Sequence, residues 1–303
     1  MGNVTNRVAI VTGAGKGIGR SYALELASQG ASVVINNRRH AGEEDEDTSA
    51  AMVVAEIRSM GGQAVVNYDS VECAESGQSM VNAAINEYGR VDIIVANAAM
   101  SQAASLSRLS LDDFKQIFDV SFLGTLHLID AAWDIMKKQK YGRIITTTSS
   151  AGRYGNHGMA AYGSAKAAIE VLTRSLAFEG EKHNVKINAI SPYAVTQMTA
   201  KHMSPDVAAR FQPEGVTAMM GWLASEQCSV TGEVFVAAAN RIRRAYNVET
   251  SSIAVDPHDV KASVDELFTL SGVSHPSSNS AFASLVKEVK YGQQEQTKIN
   301  ITL

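Results

Sequence analysis

Apolar residues follow two alternating patterns over the first 240 positions. Short, nearly unbroken β-branched runs occur at Val8–Val11, Ser32–Asn36, Ala64–Tyr68, Asp92–Ala96, Arg143–Thr147, Lys186–Ile190 and Glu233–Val236. Between them, apolar positions recur every three to four residues over Ser21–Gln29, Thr48–Met60, Glu75–Tyr88 and Ala161–Glu179. A run such as VAIV or DIIVA has no polar face and predicts a strand buried on both sides. The longer spacing predicts helices with one apolar stripe. Together they predict a doubly wound α/β fold, with a seven-stranded parallel sheet, helices on both faces and ligands beyond the carboxyl ends of the strands.

The alternation stops near Asn240. Arg241, Arg243 and Arg244 follow, then a stretch rich in Ser, Asn and Val, with one helix expected from a cap near Asp256 and a last short helix near Ala281–Tyr291. Residues 1–240 are therefore expected as one domain. Residues 241–303 are expected as a C-terminal helical extension packed on it or on a partner subunit, because about 60 residues make a marginal core alone.

Composition narrows the function. Of the 303 residues 45% are hydrophobic, enough for a full core, and 19% are charged with a net charge of −4, which argues against nucleic acid as a partner. Cys73 and Cys228 form no disulfide framework or zinc motif, and the acidic run 43–47 (EEDED) has no flanking ligand pattern, so no metal is expected. The opening MGNVTN lacks a basic, apolar leader, Asn6 misses the acceptor position expected after Gly2 for acylation, and no apolar run reaches membrane-spanning length. A cytoplasmic protein is the expectation.

Candidate chemistry begins after the first strand, at Thr12-Gly13-Ala14-Gly15-Lys16-Gly17-Ile18-Gly19, directly before a helix. Glycines at such a turn let backbone amides approach a pyrophosphate, and the helix dipole favours its charge. The spacing is neither G-x-G-x-x-G nor a Walker A loop, so a tight structural turn is the competing reading. The second strand ends Asn36-Asn37-Arg38-Arg39, where an acid selects the free ribose hydroxyl of NAD. Amides and arginines there favour NADP(H) over NAD(H), unless the arginines merely offset the acidic run.

Tyr162-Gly163-Ser164-Ala165-Lys166, with Ser149 thirteen residues upstream, is the most specific constellation. Positions i and i+4 share one helix face, so the Lys166 ammonium is expected to lower the Tyr162 phenol pKa and make it a general acid–base, with Ser149 at the substrate oxygen.

With these motifs in place, residues 4–240 resemble the short-chain dehydrogenase/reductase family. The glycine loop matches TGxxxGxG, Asp69 with the following Ser70 the adenine-contacting acid, Ala96-Asn97-Ala98-Ala99 the N-N-A-G segment, and Ile190-Ser191-Pro192 the proline loop leading to Val195 and Thr196. Ser149, Tyr162 and Lys166 match the catalytic serine, tyrosine and lysine. Stretches such as SSAGRYGNHGMAAYGSAK and the tail resemble the (3R)-hydroxyacyl-CoA dehydrogenase group within that family. Four positions depart from the pattern: Ser121 replaces the catalytic asparagine, Ala96 and Ala99 alter N-N-A-G, Tyr193 and Gln197 alter the proline loop, and Asn37 replaces the acid that closes the second strand.

The resemblance implies hydride exchange between a nicotinamide and a secondary alcohol or ketone, with Gly13, Gly15, Lys16, Gly17, Ile18, Gly19, Asn37, Arg38, Asp69, Ser70, Asn97, Ala98, Tyr162, Lys166, Val195 and Thr196 on the cofactor. It also implies a homodimer or homotetramer through the helical stretches Leu111–Lys138 and Ala161–Glu179. A 3-hydroxyacyl or 3-oxoacyl thioester is the first substrate class to consider, its CoA phosphates meeting Arg241, Arg243 and Arg244 unless these are surface charge or pair with the acidic run. A free steroid-like or cyclic ketone or alcohol held by Met198–Met203, Met219, Met220 and Trp222 is the alternative, unless those methionines serve ordinary core or lid packing. Remoter alternatives are a non-catalytic dinucleotide sensor and a dehydratase or epimerase on the same fold. Arg153, Tyr154, Asn156 and His157 are expected to wall the substrate cleft.

Overall fold

The computed structural model describes residues 4–39, 42–197, 199–200, 203–255 and 257–299, with side chains to 289. Gly2, Met198 and Asp256, which figure in the expectations above, lie outside the described residues. The chain divides into two compact units, 1–244 and 245–303.

In the first unit, the seven expected strands form as β1 (Val8–Thr12), β2 (Ser32–Asn36), β3 (Gln63–Asn67), β4 (Ile93–Ala96), β5 (Gly142–Thr147), β6 (Val185–Pro192) and β7 (Val234–Ala238). All the registered pairs among them are parallel. An eighth strand, β8 (Arg241–Ala245), was not among the expected seven. Ala239 and Asn240 both have positive φ, 46° and 57°, which makes the two-residue turn of a hairpin and lays β8 antiparallel on β7. Its Arg-rich sequence hid it, since none of its five residues is buried.

Strand order is β3-β2-β1-β4-β5-β6-β7-β8, so the chain reverses direction of winding between β1 and β4. That switch opens a crevice at the carboxyl ends of these two strands. One core cluster joins α1 (Gly17–Ser28), α2 (Ser49–Ser59) and α9 (Thr217–Ala224) to the sheet. On the opposite face, α3 (Ser76–Tyr88) and α5 (Gly124–Gln139) form a second cluster with the sheet, and Leu172 and Leu176 of α7 (Ala160–Gly180) pack against it.

Leu111–Lys138 is not one helix. It is α4 (Leu111–Phe118), a π-helical turn at Asp119–Leu123, and α5. The turn places Ser121 fully buried, where its hydroxyl donates to the Met100 carbonyl and accepts from the Met100 amide, both at 3.0 Å. Short helices α6 (Ser150–Tyr154) and α8 (Pro205–Arg210) occupy the connections after β5 and β6.

The second unit holds α10 (Val260–Leu267), α11 (Ser278–Ile299) and a two-stranded ladder of β9 (Glu249–Thr250) and β10 (Gly272–Val273). The cap of α10 is Asp259, whose side chain accepts from Ala262 N at 3.0 Å. The last helix is longer than expected. Among the side chains described from 245 to 289, Ser263 alone is buried.

Candidate active site

Thr12, the last residue of β1, ties the crevice together. Its hydroxyl accepts from the amides of Asn97 and Ala98, each at 3.0 Å, while Asn97 Nδ2 donates to the Thr12 carbonyl at 3.1 Å. The segment after β4 is thus fixed beside the glycine loop by hydrogen bonds from one side chain at each end. Gly13, with φ of 62°, has no room for a side chain, since a Cβ would lie 3.1 Å from Ala98 Cα. At Gly19 a Cβ would collide with the Gly13 carbonyl oxygen. Lys16 caps α1 without a side-chain hydrogen bond, so the first-turn amides of that helix have no protein side chain from the cap position.

The neighbouring loops converge on the same place. A Cβ on Gly15 would press against Ser49 and lie 3.0 Å from Asn37 Cγ, and one on Gly17 would lie 3.5 Å from Thr196 Cγ2. Asn37 donates to Ser49 Oγ at 3.0 Å. Arg39 is ion-paired with Asp45 of the acidic run and lies 4.5 Å from the centroid of the Tyr68 ring. Arg38 is exposed beside it. Asp69 accepts from Asn67 Nδ2 at 2.8 Å, and Ser70 donates to Glu72 at 2.6 Å. Val195 N is bonded to the Phe211 carbonyl at 2.7 Å. Thr199, which the sequence did not single out, latches this loop by donating to the Ala194 carbonyl and accepting from Thr196 N.

Across the crevice, Ser149 caps α6 by accepting from Ala151 N at 3.2 Å, and it hydrogen-bonds the Tyr162 phenol. Two glycines allow this approach of α6 to α7. A Cβ on Gly152 would sit 2.7 Å from Ala167 N, and one on Gly163 would sit 2.8 Å from the Ala151 carbonyl. Lys166 is 1% exposed and donates to the Thr147 carbonyl at 2.7 Å, 5.7 Å from the centroid of the Tyr162 ring.

The electrostatics depart from the expectation that Lys166 depresses the phenol. Burial pushes the Tyr162 pKa up, and only the Ser149 hydrogen bond opposes it. Burial also pushes Lys166 down to about 7, so both groups of the pair are biased towards neutrality. Among the described residues the Lys166 amine has one hydrogen-bond acceptor, the Thr147 carbonyl, and so keeps further donors in either charge state.

Residues 7–207 match the family model for short chain dehydrogenase. The chain belongs to the short-chain dehydrogenase family. It is 43% identical over 238 residues to peroxisomal multifunctional enzyme type 2 of Mus musculus, a match covering 78% of this chain and 32% of that longer protein. It is 34% identical over 241 residues to a 3-oxoacyl-[acyl-carrier-protein] reductase of Synechocystis, covering 77% and 95% of the two chains. A crystal structure of a short chain dehydrogenase from Mycobacterium avium superposes with a TM-score of 0.80 at 32% identity, covering 91% and 99%. As a short-chain dehydrogenase, the protein is an oxidoreductase acting on CH–OH groups with a nicotinamide cofactor.

The residues present fit such a cofactor. The glycine loop is a cradle that side chains would fill, the α1 amides face an anion-ready end, and the buried ammonium of Lys166 retains donors for a sugar diol. In this short-chain dehydrogenase the Ser121 hydroxyl is held to the Met100 backbone, donating to its carbonyl and accepting from its amide.

The side chains expected near the substrate take different places in the structure. Arg153 points inward, ion-paired to Glu170, whereas Tyr154, Asn156 and His157 are exposed. Met219 and Met220 of α9 are buried in the core cluster with α1, and Trp222 packs against that cluster, so none of the three supports a substrate-binding role. Arg244 pairs with Glu233 at 2.7 Å, at the end of β8 remote from the carboxyl ends of the parallel strands, while Arg241 lies at the ligand end. Among the described residues no group of three His, Cys, Asp or Glu is arranged to hold a metal, and no helix is long and apolar enough to cross a membrane.

Proposed function

We propose that this short-chain dehydrogenase uses NADP(H) to interconvert a secondary alcohol and a ketone, with a 3-hydroxyacyl or 3-oxoacyl thioester as its substrate class. The contact of Ser149 with the Tyr162 phenol beside the buried Lys166 carries the catalytic reading. A bound nicotinamide supplies or accepts the hydride at the carbinol carbon. Tyr162 donates its proton to the carbonyl oxygen in reduction and takes the alcohol proton in oxidation, while Ser149 donates to the same oxygen. Lys166 holds ribose hydroxyls, and its charge, once such acceptors surround it, favours phenolate.

Preference for NADP(H) is supported by Asn37 in place of an acid and by Arg38, exposed next to the glycine loop and distinct from Arg39, which is engaged with Asp45. Support for a thioester comes from the name of the Synechocystis relative and from Arg241 at the ligand end of the sheet. Exposed Leu106 and Tyr154 favour the second reading, a free hydrophobic ketone or alcohol; they flank a bond of 3.0 Å from Ala104 N to the Gly158 carbonyl.

The remaining cofactor assignments, Lys16, Ile18, Asp69, Ser70, Asn97, Ala98 and Val195, follow the same loops. Association into a homodimer or homotetramer is proposed through α7, which presents Val171 and Phe178 to solvent, and a cytoplasmic setting suits two unpaired cysteines. The deciding experiment is oxidation and reduction of both nicotinamide cofactors against acetoacetyl-CoA, ketosteroids and cyclic ketones. Turnover of the thioester with NADPH is the expected result. A strong NADH preference removes the cofactor proposal, and turnover of free ketones alone removes the thioester.

A further inference from the structure

Behind the Ser149–Tyr162 contact lies a buried ion pair that the proposed chemistry does not use. Arg153 of α6 and Glu170 of α7 stand 2.8 Å apart, their side chains 11% and 6% exposed. Removing a carboxylate and a guanidinium from water is costly, and an apolar pair of equal volume would join two helices at least as well. Stability alone is therefore a poor account of the pair, and its further contacts suggest another.

The Glu170 oxygen that takes Arg153 also accepts from Thr148 Oγ1 at 3.0 Å, and its second oxygen takes Arg174 at 3.4 Å. Thr148 sits between Thr147, whose carbonyl receives the Lys166 ammonium, and Ser149. Its hydroxyl lies 2.9 Å from the Lys166 carbonyl as well. Glu170 thus grips the peptide segment that carries both the acceptor for Lys166 and the hydroxyl beside Tyr162. The other arm of Arg153 donates to Ser191 Oγ at 3.1 Å, one residue before Pro192 and the loop that reaches Thr196. The guanidinium reaches its two acceptors through different nitrogens, Nη1 to Glu170 and Nη2 to Ser191, whereas an ammonium would have to draw both to a single nitrogen.

We propose that Arg153 and Glu170 are positioning residues, a clamp that holds Ser149, Lys166 and the loop after β6 in one register around Tyr162. The proposal rests on the catalytic assignment of those residues. It explains why a charged pair occupies a dry helix contact so close to the site.

Two variants test it: Arg153→Met/Glu170→Met, which removes both charges at similar volume, and Arg153→Lys, which keeps the charge and loses the second arm. The first readout needs no substrate. Ionisation of Tyr162 is followed as the ultraviolet absorbance difference between each protein and its Tyr162→Phe counterpart. If the clamp holds Ser149 in place, its loss withdraws the hydrogen bond that restrains the phenol, and phenolate appears at higher pH, by about half a unit or more in the double variant and less in Arg153→Lys. The second readout is turnover of the carbonyl compound that the unaltered enzyme accepts, with kcat falling about tenfold or more and KM for the cofactor within about twofold. A folded double variant with unaltered Tyr162 ionisation and kcat overturns the clamp. Should the double variant not fold, Arg153→Lys decides by the same two readings. An unaltered enzyme that reduces no carbonyl counts against the catalytic assignment, while the titration still judges the clamp.

Discussion

Replacing Arg38 by alanine is expected to weaken NADPH while leaving NADH almost unchanged. Arg38 is exposed at the end of β2, and its neighbour Arg39 is committed to Asp45 and the Tyr68 ring, so the two guanidiniums are not equivalent. A charge-assisted hydrogen bond contributes about 1.5–3 kcal/mol, and solvent screening at an exposed site brings the 2′-phosphate contact to about 1–2 kcal/mol. That corresponds to a rise of about 5- to 30-fold in KM for NADPH. Asn37→Asp should act from the other side. Its carboxylate can still accept from Ser49 Oγ, preserving the 3.0 Å contact, but it repels a phosphate and accepts from a free ribose hydroxyl. The double substitution should therefore invert the preference. Steady-state KM and kcat with both cofactors, at two ionic strengths, provide the assay, since the Arg38 effect must shrink as salt rises. The reasoning fails if Arg38→Ala leaves KM for NADPH unchanged and Arg39→Ala raises it.

Tyr162→Phe should abolish turnover while cofactor binding, read by fluorescence titration, stays nearly intact; retention of more than about a tenth of kcat would refute the proton-transfer role. Gly152→Ala forces a Cβ to 2.7 Å from the α7 backbone, so it should lower Tm and kcat together, with a loss of about 1–3 kcal/mol in a denaturant melt. A stability equal to the unaltered chain would show that α6 moves freely. Lys166, pushed by burial from 10.5 to about 7, binds fewer protons folded than unfolded between those values. Its contribution to stability therefore rises with pH across that window, by at most about 1.4 kcal/mol per pH unit, the limit for one proton, and Lys166→Met should flatten the dependence in cofactor-free protein.

Parallel strands were legible in the sequence because burial on both faces leaves no polar positions to blur them, and β1 to β7 form within two residues of the runs that announce them. β8 was not legible because an exposed, arginine-rich edge has no apolar signature, and only the pair Ala239-Asn240 in left-handed backbone reveals the turn. The long helix expected over Leu111–Lys138 is interrupted where Ser121 finds both hydrogen-bonding groups of Met100, a tertiary contact twenty-one residues away that periodicity does not carry.

Side-chain direction was the less legible part of the site. Spacing put Lys166 and Tyr162 on one face, yet it could not tell that both would be dry, which reverses the direction expected for the phenol. Arg153 lies four residues beyond Ser149, a spacing that by itself suggests the cleft wall. Its partner Glu170 is seventeen residues further on, and only the packing of α6 on α7 brings the two together. The glycines of SAG and YGS that permit that packing were visible as letters without their purpose.

β8 also bears on how copies of this protein meet one another. An outer strand offers a row of unsatisfied amides and carbonyls to any extended chain that drifts alongside, the usual seed of aggregation. Here that row is flanked by Arg241, Arg243 and Arg244 with nothing buried between them. A second copy approaching in the same way would bring the like charges of Arg241 and Arg243 together, Arg244 being paired with Glu233, a repulsion that fades as ionic strength rises. The hairpin thus turns the open end of the sheet into a surface that discourages continuous-sheet association.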